Sequence, residues 1–299
     1  MGKALADQFA VCRDVFREAD EALGAPLTTL IFDGPADALT LTENTQPAIV
    51  TMSTAVLRLL ESRGLHPAMV AGHSLGEYSA HVAAGTLTFA DAVRLVRNRG
   101  RYMQEAVPVG AGAMAAILGL DAAGVEKACA EAAEGDVISA ANLNAPGQIA
   151  IAGSSEAVKR AIDRAKALGA RRAIPLQVSA PFHCALMKPA EERLAPELRA
   201  VDAHAPRVPV VANVDAEPKT DAPSAIDALI RQIASPVRWE DVVRRMVADG
   251  VTAFVEVGPG SVLSGLGRKI ARDVTFVNID APEHLPDVEA LFAAQAQTA

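Results

Sequence analysis

Large side chains are scarce in this chain: one Trp, two Tyr and eight Phe among 299 residues. A core built from it must therefore consist mainly of small aliphatic groups, and 51% hydrophobic residues supply enough of them for one large domain or two coupled ones. Cysteine is equally sparse. Cys12, Cys129 and Cys184 lie far apart and are odd in number, so neither a disulfide framework nor a metal-binding spacing follows. A reducing, cytoplasmic setting is the expectation. Positive charge is not in excess either: the net charge of -8 argues against a nucleic-acid binder. No apolar run is long enough to span a bilayer, and Asp7 interrupts the only apolar start. Tandem repeats and low-complexity tracts are missing, and the Ala-rich tail reads as a fraying end.

What the chain does have is Gly72-His73-Ser74-Leu75-Gly76. An apolar run, Pro67 to Ala71, precedes it, and a helix-like segment, Glu77 to Ala84, follows and stops at Gly85. Strand, tight turn between small residues, then helix is the setting of a nucleophile elbow. Such a turn lifts the serine at the strand end, and the helix N-terminus behind it favours developing negative charge. The motif implies serine acyl chemistry without saying whether water or another group receives the acyl chain. The plain alternative is a serine that caps a helix.

The first hundred residues otherwise read as helices: Leu5 to Leu23 with Gly24 as stop, Ala48 to Arg63 opened by Thr45-Gln46-Pro47, and one from Thr88-x-x-Asp91 to about Ala106. Pro108 to Gly112 reads as a linker. The pattern then becomes strand 113–120, helix 122–133, strand 136–143, strand 148–152, helix 156–168 and strand 172–178. That βαββαβ order is the split pattern of a ferredoxin-like unit, predicted as an insert over 108–179 between two halves, 1–107 and 180–299, of a larger α/β domain. The second half alternates helices with short strands at 208–214, 253–257 and 275–279. Short parallel strands covered by helices fit these runs.

Ser74 needs a base. Of six histidines, His183 stands where the insert ends and the main domain resumes, in Ser179-Ala180-Pro181-Phe182-His183-Cys184. Spacing alone leaves it open between a general base and an ordinary loop histidine. His73 adjoins the nucleophile but should point elsewhere, and His81 reads as packing on the elbow helix. Arg99 flanks the apolar stripe of its helix, beside Val96 and Met103, whereas Arg94, Arg97 and Arg101 face away from it. An arginine drawn toward a core needs an anion, either an internal partner or a substrate carboxylate held by the planar fork. Gly258-Pro259-Gly260-Ser261 mimics a dinucleotide fingerprint with its third glycine misplaced, so it reads as a strand-to-helix turn. Asn142 and Asn144, near Pro146-Gly147, read as turn formers, and Gln46 and Gln232 as helix-surface residues.

Taken together, these motifs resemble the acyltransferase family of fatty-acid and polyketide synthesis, in particular malonyl-CoA:acyl carrier protein transacylases. The resemblance runs from Gly2 to past Gly267. It includes Thr45-Gln46-Pro47, the elbow through Glu77, Arg94 with Arg99-Gly100, Asn142-x-Asn144-x-Pro146-Gly147-Gln148, Phe182-His183, Pro236-Val237-Arg238-Trp239 and Glu256 to Gly260. It implies an α/β-hydrolase-like large domain with an inserted ferredoxin-like subdomain. By the same resemblance Ser74 is the nucleophile, His183 its general base and Arg99 the holder of the malonyl carboxylate. Gln46 lines the pocket, Leu75 supplies an oxyanion N–H, and Gln232 orients the histidine, largely through its backbone carbonyl. Leu75 and Phe182 follow the pattern of malonyl-selective members. Substrates would be malonyl-CoA and an acyl carrier protein, with no metal or other cofactor, no nucleic acid, no membrane, and a monomeric state. Arg268, Lys269 and Arg272, or Arg171 and Arg172, are candidate basic patches for an acidic carrier.

The family opens with a short strand and a Gly-Gln-Gly-Ser-Gln loop whose first glutamine gives a second oxyanion donor, and Met1-Gly2-Lys3 aligns just beyond it. The expectation is a chain without that strand and loop, less active and less stable than one carrying them. Two competing readings stay open: a serine hydrolase, although no acid between Ser74 and His183 stands out as a triad member, and a carrier-binding relative that does not turn over.

Overall fold

The computed structural model describes residues 1–296. Three small sheets are set among helices, an α/β arrangement. The first predicted helix is broken at Phe9, whose extended backbone separates Lys3–Gln8 from Ala10–Leu23, and Gly24 closes the second piece in the left-handed region at φ 60°. The helix expected from Ala48 instead begins earlier and runs Thr42–Ser62, with Pro47 inside it. Proline there forfeits only one hydrogen bond, near the helix start, and burial of the residues around it outweighs that loss. Thr88 caps the next helix, Phe89–Glu105, by accepting from the Asp91 N–H at 3.1 Å. Among the described residues no helix is long and apolar enough to cross a membrane. The Ala-rich tail is helical over Leu285–Ala296, and its last three residues lie outside the described part.

Residues 112–175 form a four-stranded antiparallel sheet. Its spatial order is Ile138–Ala145, Gln148–Ser154, Gly112–Leu118, Arg172–Pro175, with helices Ala122–Ala133 and Ser155–Ala167 in the connections. Strand alternation gives this sheet two apolar faces. Ala115, Ile117, Ile149 and Ile151 pack on the two helices. Met114, Ala141, Ala150 and Ala152 pack on Cys184, with Phe182 and Leu186 alongside. The segment that carries His183 therefore rests directly on the second face.

The elbow strand is short, Val70–Ala71, and pairs in parallel with Val210–Val211. The longer strand expected over 208–214 stops there because Ala212 to Ala216 turns, with the Ala216 N–H donating to the Ala212 carbonyl. Ala253–Val257 and Thr275–Ile279 pair in parallel as predicted. Between them the glycines of Gly258-Pro259-Gly260 hold positive φ (123° and 81°), which makes this segment the expected strand-to-helix turn. The main core joins the N-terminal helices to Phe89–Glu105, Lys188–Ala200 and Ala222–Gln232. Phe16 and Tyr78 are its only aromatic side chains among the largest fully buried ones. Most of the rest of this core is aliphatic, with Phe89 and Tyr102 as further buried aromatics.

Candidate active site

Ser74 sits in the left-handed region at φ 53°, a conformation that costs a non-glycine residue about 1–3 kcal/mol. The elbow is tight. A Cβ on Gly72 would lie 1.9 Å from the Gly76 carbonyl oxygen, so only glycine fits. Neighbouring groups hold the strained backbone. The Ser74 N–H donates to Asn213 Oδ1 at 2.7 Å, while the Ser74 carbonyl accepts from Gln232 Nε2 at 2.8 Å and from the Glu77 N–H at 3.1 Å. The Gly76 N–H donates to the His73 carbonyl. The Leu75 N–H has no such engagement among the described residues, and it stands at the N-terminus of the elbow helix Gly76–Ala83.

His183, also at positive φ (60°) and buried, brings Nε2 to 2.6 Å from Ser74 Oγ. Its Nδ1 is 3.0 Å from the Gln232 backbone carbonyl. A carbonyl can only accept, so the proton belongs on Nδ1 and the Nε2 lone pair faces the serine hydroxyl. Burial, and then the nearby Arg99 charge, push His183 down to about 3, so the free imidazole is neutral at pH 7.

Arg99 is only 2% exposed. Its Nη1 donates to Gln46 Oε1 at 2.7 Å; Nη2 donates to Gln232 Oε1 at 2.9 Å and to Ser74 Oγ at 3.1 Å. The guanidinium lies 5.7 Å from the centre of the Tyr78 ring. These hydrogen-bond partners are neutral oxygens, none of them a carboxylate. Burial lowers its proton affinity, and Tyr78 and Glu77 oppose that shift. The fork is thus a buried cation that points at the nucleophile with its charge uncompensated by a direct ion pair. Leu75 and Phe182, each partly buried, pack against the main core on either side of Ser74 and His183 in sequence.

Several sequence readings change here. Gln46 and Gln232 are not surface residues: they are 3% and 0% exposed and both grip Arg99. Asn142 and Asn144 do not form the turn. They lie in the strand Ile138–Ala145, and Gly147, at φ 66°, takes the bend. Asn144 Oδ1 instead meets His73 Nε2 at 2.8 Å, so His73 points away from Ser74, toward this strand and Trp239. Backbone bonds between Ala141, Leu143 and Val237 tie the same strand to the chain that follows Gln232. Of the basic candidates, Lys269 reaches Gln148 at 2.9 Å and Arg268 the Phe276 carbonyl at 2.7 Å, while Arg171 and Arg172 are exposed. Sequence reasoning missed Asn213 and left Glu77 without a role. Both are 0% exposed and both clasp the elbow. The available signals were a lone polar residue at the end of an apolar strand and the only carboxylate on the elbow helix.

A base with its lone pair aligned and a cation fork thus converge on the oxygen of the nucleophile. The model of the acyl transferase domain family matches residues 1–296. The malonyl CoA-acyl carrier protein transacylase of Escherichia coli K12 is 53% identical over 279 residues, 93% of this chain and 90% of that protein. An acyl carrier protein S-malonyltransferase from Vibrio cholerae O1 superposes with a TM-score of 0.95 at 49% identity, over 96% of this chain and 94% of that one. A malonyl-transacylase solved in complex with its type II PKS acyl-carrier protein superposes at 0.93 and 45% identity, over 95% of this chain and 93% of that one. This chain belongs to the acyl transferase domain family and, within it, to the malonyl-CoA:acyl carrier protein transacylases.

Proposed function

We propose that the protein moves a malonyl group from malonyl-CoA to the phosphopantetheine thiol of an acyl carrier protein, through an ester on Ser74. The observation that carries this reading is the convergence on Ser74 Oγ of His183 Nε2 at 2.6 Å and Arg99 Nη2 at 3.1 Å. His183 takes the Ser74 proton as Oγ attacks the thioester carbonyl. The Leu75 N–H faces the oxyanion. As the carbon–sulfur bond breaks, His183 returns the proton to the coenzyme A thiolate. The Arg99 fork holds the far carboxylate in two charge-assisted hydrogen bonds. That carboxylate also offsets the positive charge that depresses His183, so substrate binding makes the imidazole a stronger base. The carrier thiol then attacks the ester and the same steps run in reverse.

On this reading residues 1–107 and 180–299 form an α/β-hydrolase-like catalytic part, and 108–179 a ferredoxin-like insert. The strand order within the insert supports the second assignment, and the parallel elbow strand followed by the elbow helix supports the first. A cytoplasmic monomer completes the proposal. Simple hydrolysis fits less well, because it gives a buried arginine at the nucleophile no purpose. His183 is moreover steadied by a backbone carbonyl rather than by the carboxylate of a triad. The test is transfer to holo carrier protein followed by mass spectrometry of the carrier. A malonyl gain that requires Ser74 and varies with ping-pong kinetics supports the proposal. Release of free malonate without carrier loading points to a hydrolase.

A further inference from the structure

Glu77 lies one turn from the nucleophile, fully buried, on the first turn of the elbow helix. A carboxylate near a helix N-terminus is ordinarily solvated. One taken out of water needs partners, because its desolvation is costly. Both partners of Glu77 meet the same oxygen: Gln232 Nε2 at 2.8 Å and the Asn213 backbone N–H at 3.0 Å both donate to Oε2. Oε1 has no hydrogen-bond partner among the described residues. Burial raises this carboxyl to about 7, while the bonds from Gln232 and Asn213 and the charge of Arg99 favour its ionised form.

Gln232 is the point at which this matters. The two ends of an amide are nearly the same size, so its orientation is set by what surrounds it. Its Nε2 faces two acceptors, Glu77 Oε2 and the Ser74 carbonyl, and its Oε1 faces a donor, Arg99 Nη2. Turned over, the amide would set two N–H donors against each other at Arg99 and leave oxygens facing oxygens at Glu77 and Ser74. Glu77 Oε2 already accepts from the Asn213 N–H and so faces Gln232 as an acceptor, which disfavours the turned-over state.

We propose that Glu77 is a positioning residue of this site: its buried carboxylate fixes the Gln232 amide, and through Gln232 Oε1 aims the Arg99 fork at the acyl carboxylate. The inference rests on the reading of Arg99 as the malonyl-binding group. It distinguishes Glu77 from a residue that merely supports the fold, because it concerns selectivity among acyl groups and not only activity.

The test compares acyl-enzyme formation from malonyl-CoA and from acetyl-CoA, which lacks the carboxylate, by quenched intact-protein mass spectrometry on folded protein. E77A is expected to lower the malonyl-over-acetyl preference about tenfold, the loss of one charge-assisted hydrogen bond to the carboxylate. E77D, whose carboxylate retreats from Gln232, is expected to lower it by about threefold or more. E77Q offers an amide oxygen in place of Oε2 and is expected to stay within about threefold of wild type. Wild-type preference in folded E77A, or equal slowing on both thioesters, overturns the inference. Should E77A fail to fold, E77D decides by the same criterion. Failure of the wild-type protein to take up malonyl at all refutes the transferase reading instead, and it is seen before any variant is compared.

Discussion

The two glycines of the elbow should respond to alanine in opposite ways. At Gly72 a new Cβ would meet the Gly76 oxygen at 1.9 Å, the Gly76 carbonyl carbon at 2.0 Å and the Glu77 nitrogen at 2.6 Å. All three are backbone atoms, so no side-chain rotation relieves the overlap. Ordinary van der Waals contact requires the strand and helix to part by roughly 1 Å or more. Overpacking of this kind costs about 1–3 kcal/mol. The same displacement carries Ser74 Oγ, now 2.6 Å from His183 Nε2, out of hydrogen-bond range, and a misplacement near 1 Å lowers rates by about 10²-fold. At Gly76 a Cβ meets nothing within 4 Å. Gly76 opens a helix at negative φ, so alanine there should hold or slightly raise stability. The assay is a melting temperature with an acylation rate for G72A and G76A. A G72A protein that melts and acylates like wild type, or a G76A protein that is the worse of the two, refutes the geometry assigned to the elbow.

Arg99→Ala should lower malonyl uptake by about 10–100-fold while leaving acetyl uptake much less affected, and Arg99→Lys should rescue little, because an ammonium lacks the fork. The thioester-preference assay checks it. Asn213→Ala removes the acceptor for the strained Ser74 N–H and for nothing in the substrate. It should therefore reduce the acylation rate with little change in malonyl preference, read in the same assay. His81 is fully buried, has no hydrogen-bond partner on either ring nitrogen among the described residues, and is pushed down to about 3 by burial. The folded protein therefore refuses a proton that the unfolded chain accepts below its ordinary pKa of 6.5. Stability is full above that pH and is lost as pH falls, by about 1.4 kcal/mol per unit for this group. His183 adds a second contribution of the same sign. Urea unfolding between pH 7 and 5 should show a shallower decline for His81→Leu than for wild type, and equal slopes would contradict the assignment.

Local patterning carried much of this architecture. The βαββαβ order, both helices of that unit and the strands Ala253–Val257 and Thr275–Ile279 follow from periodicity and from glycine stops, because each is a local preference that tertiary packing leaves in place. Helix starts were harder to read. Pro47 looked like a boundary, but burial on both sides of it carried the helix back to Thr42. The nucleophile was legible because a tight turn restricts which residues can flank it. Its surroundings were less so. Glu77, Asn213, Gln46 and Gln232 come from four separated segments; only the family resemblance placed Gln46 and Gln232 at the site, and the local signals at Glu77 and Asn213 were weak. Only the burial of Arg99 and the strain at Ser74, both products of the folded chain, show why each is polar.

The central claim is that Ser74 carries the malonyl group. Brief incubation with malonyl-CoA, followed by intact-protein mass spectrometry and peptide mapping, tests it most directly. A single malonyl adduct on the peptide containing Ser74, missing from Ser74→Ala, is the predicted result. Folded wild-type protein that takes up no malonyl group, or an adduct that persists in Ser74→Ala, would contradict the account.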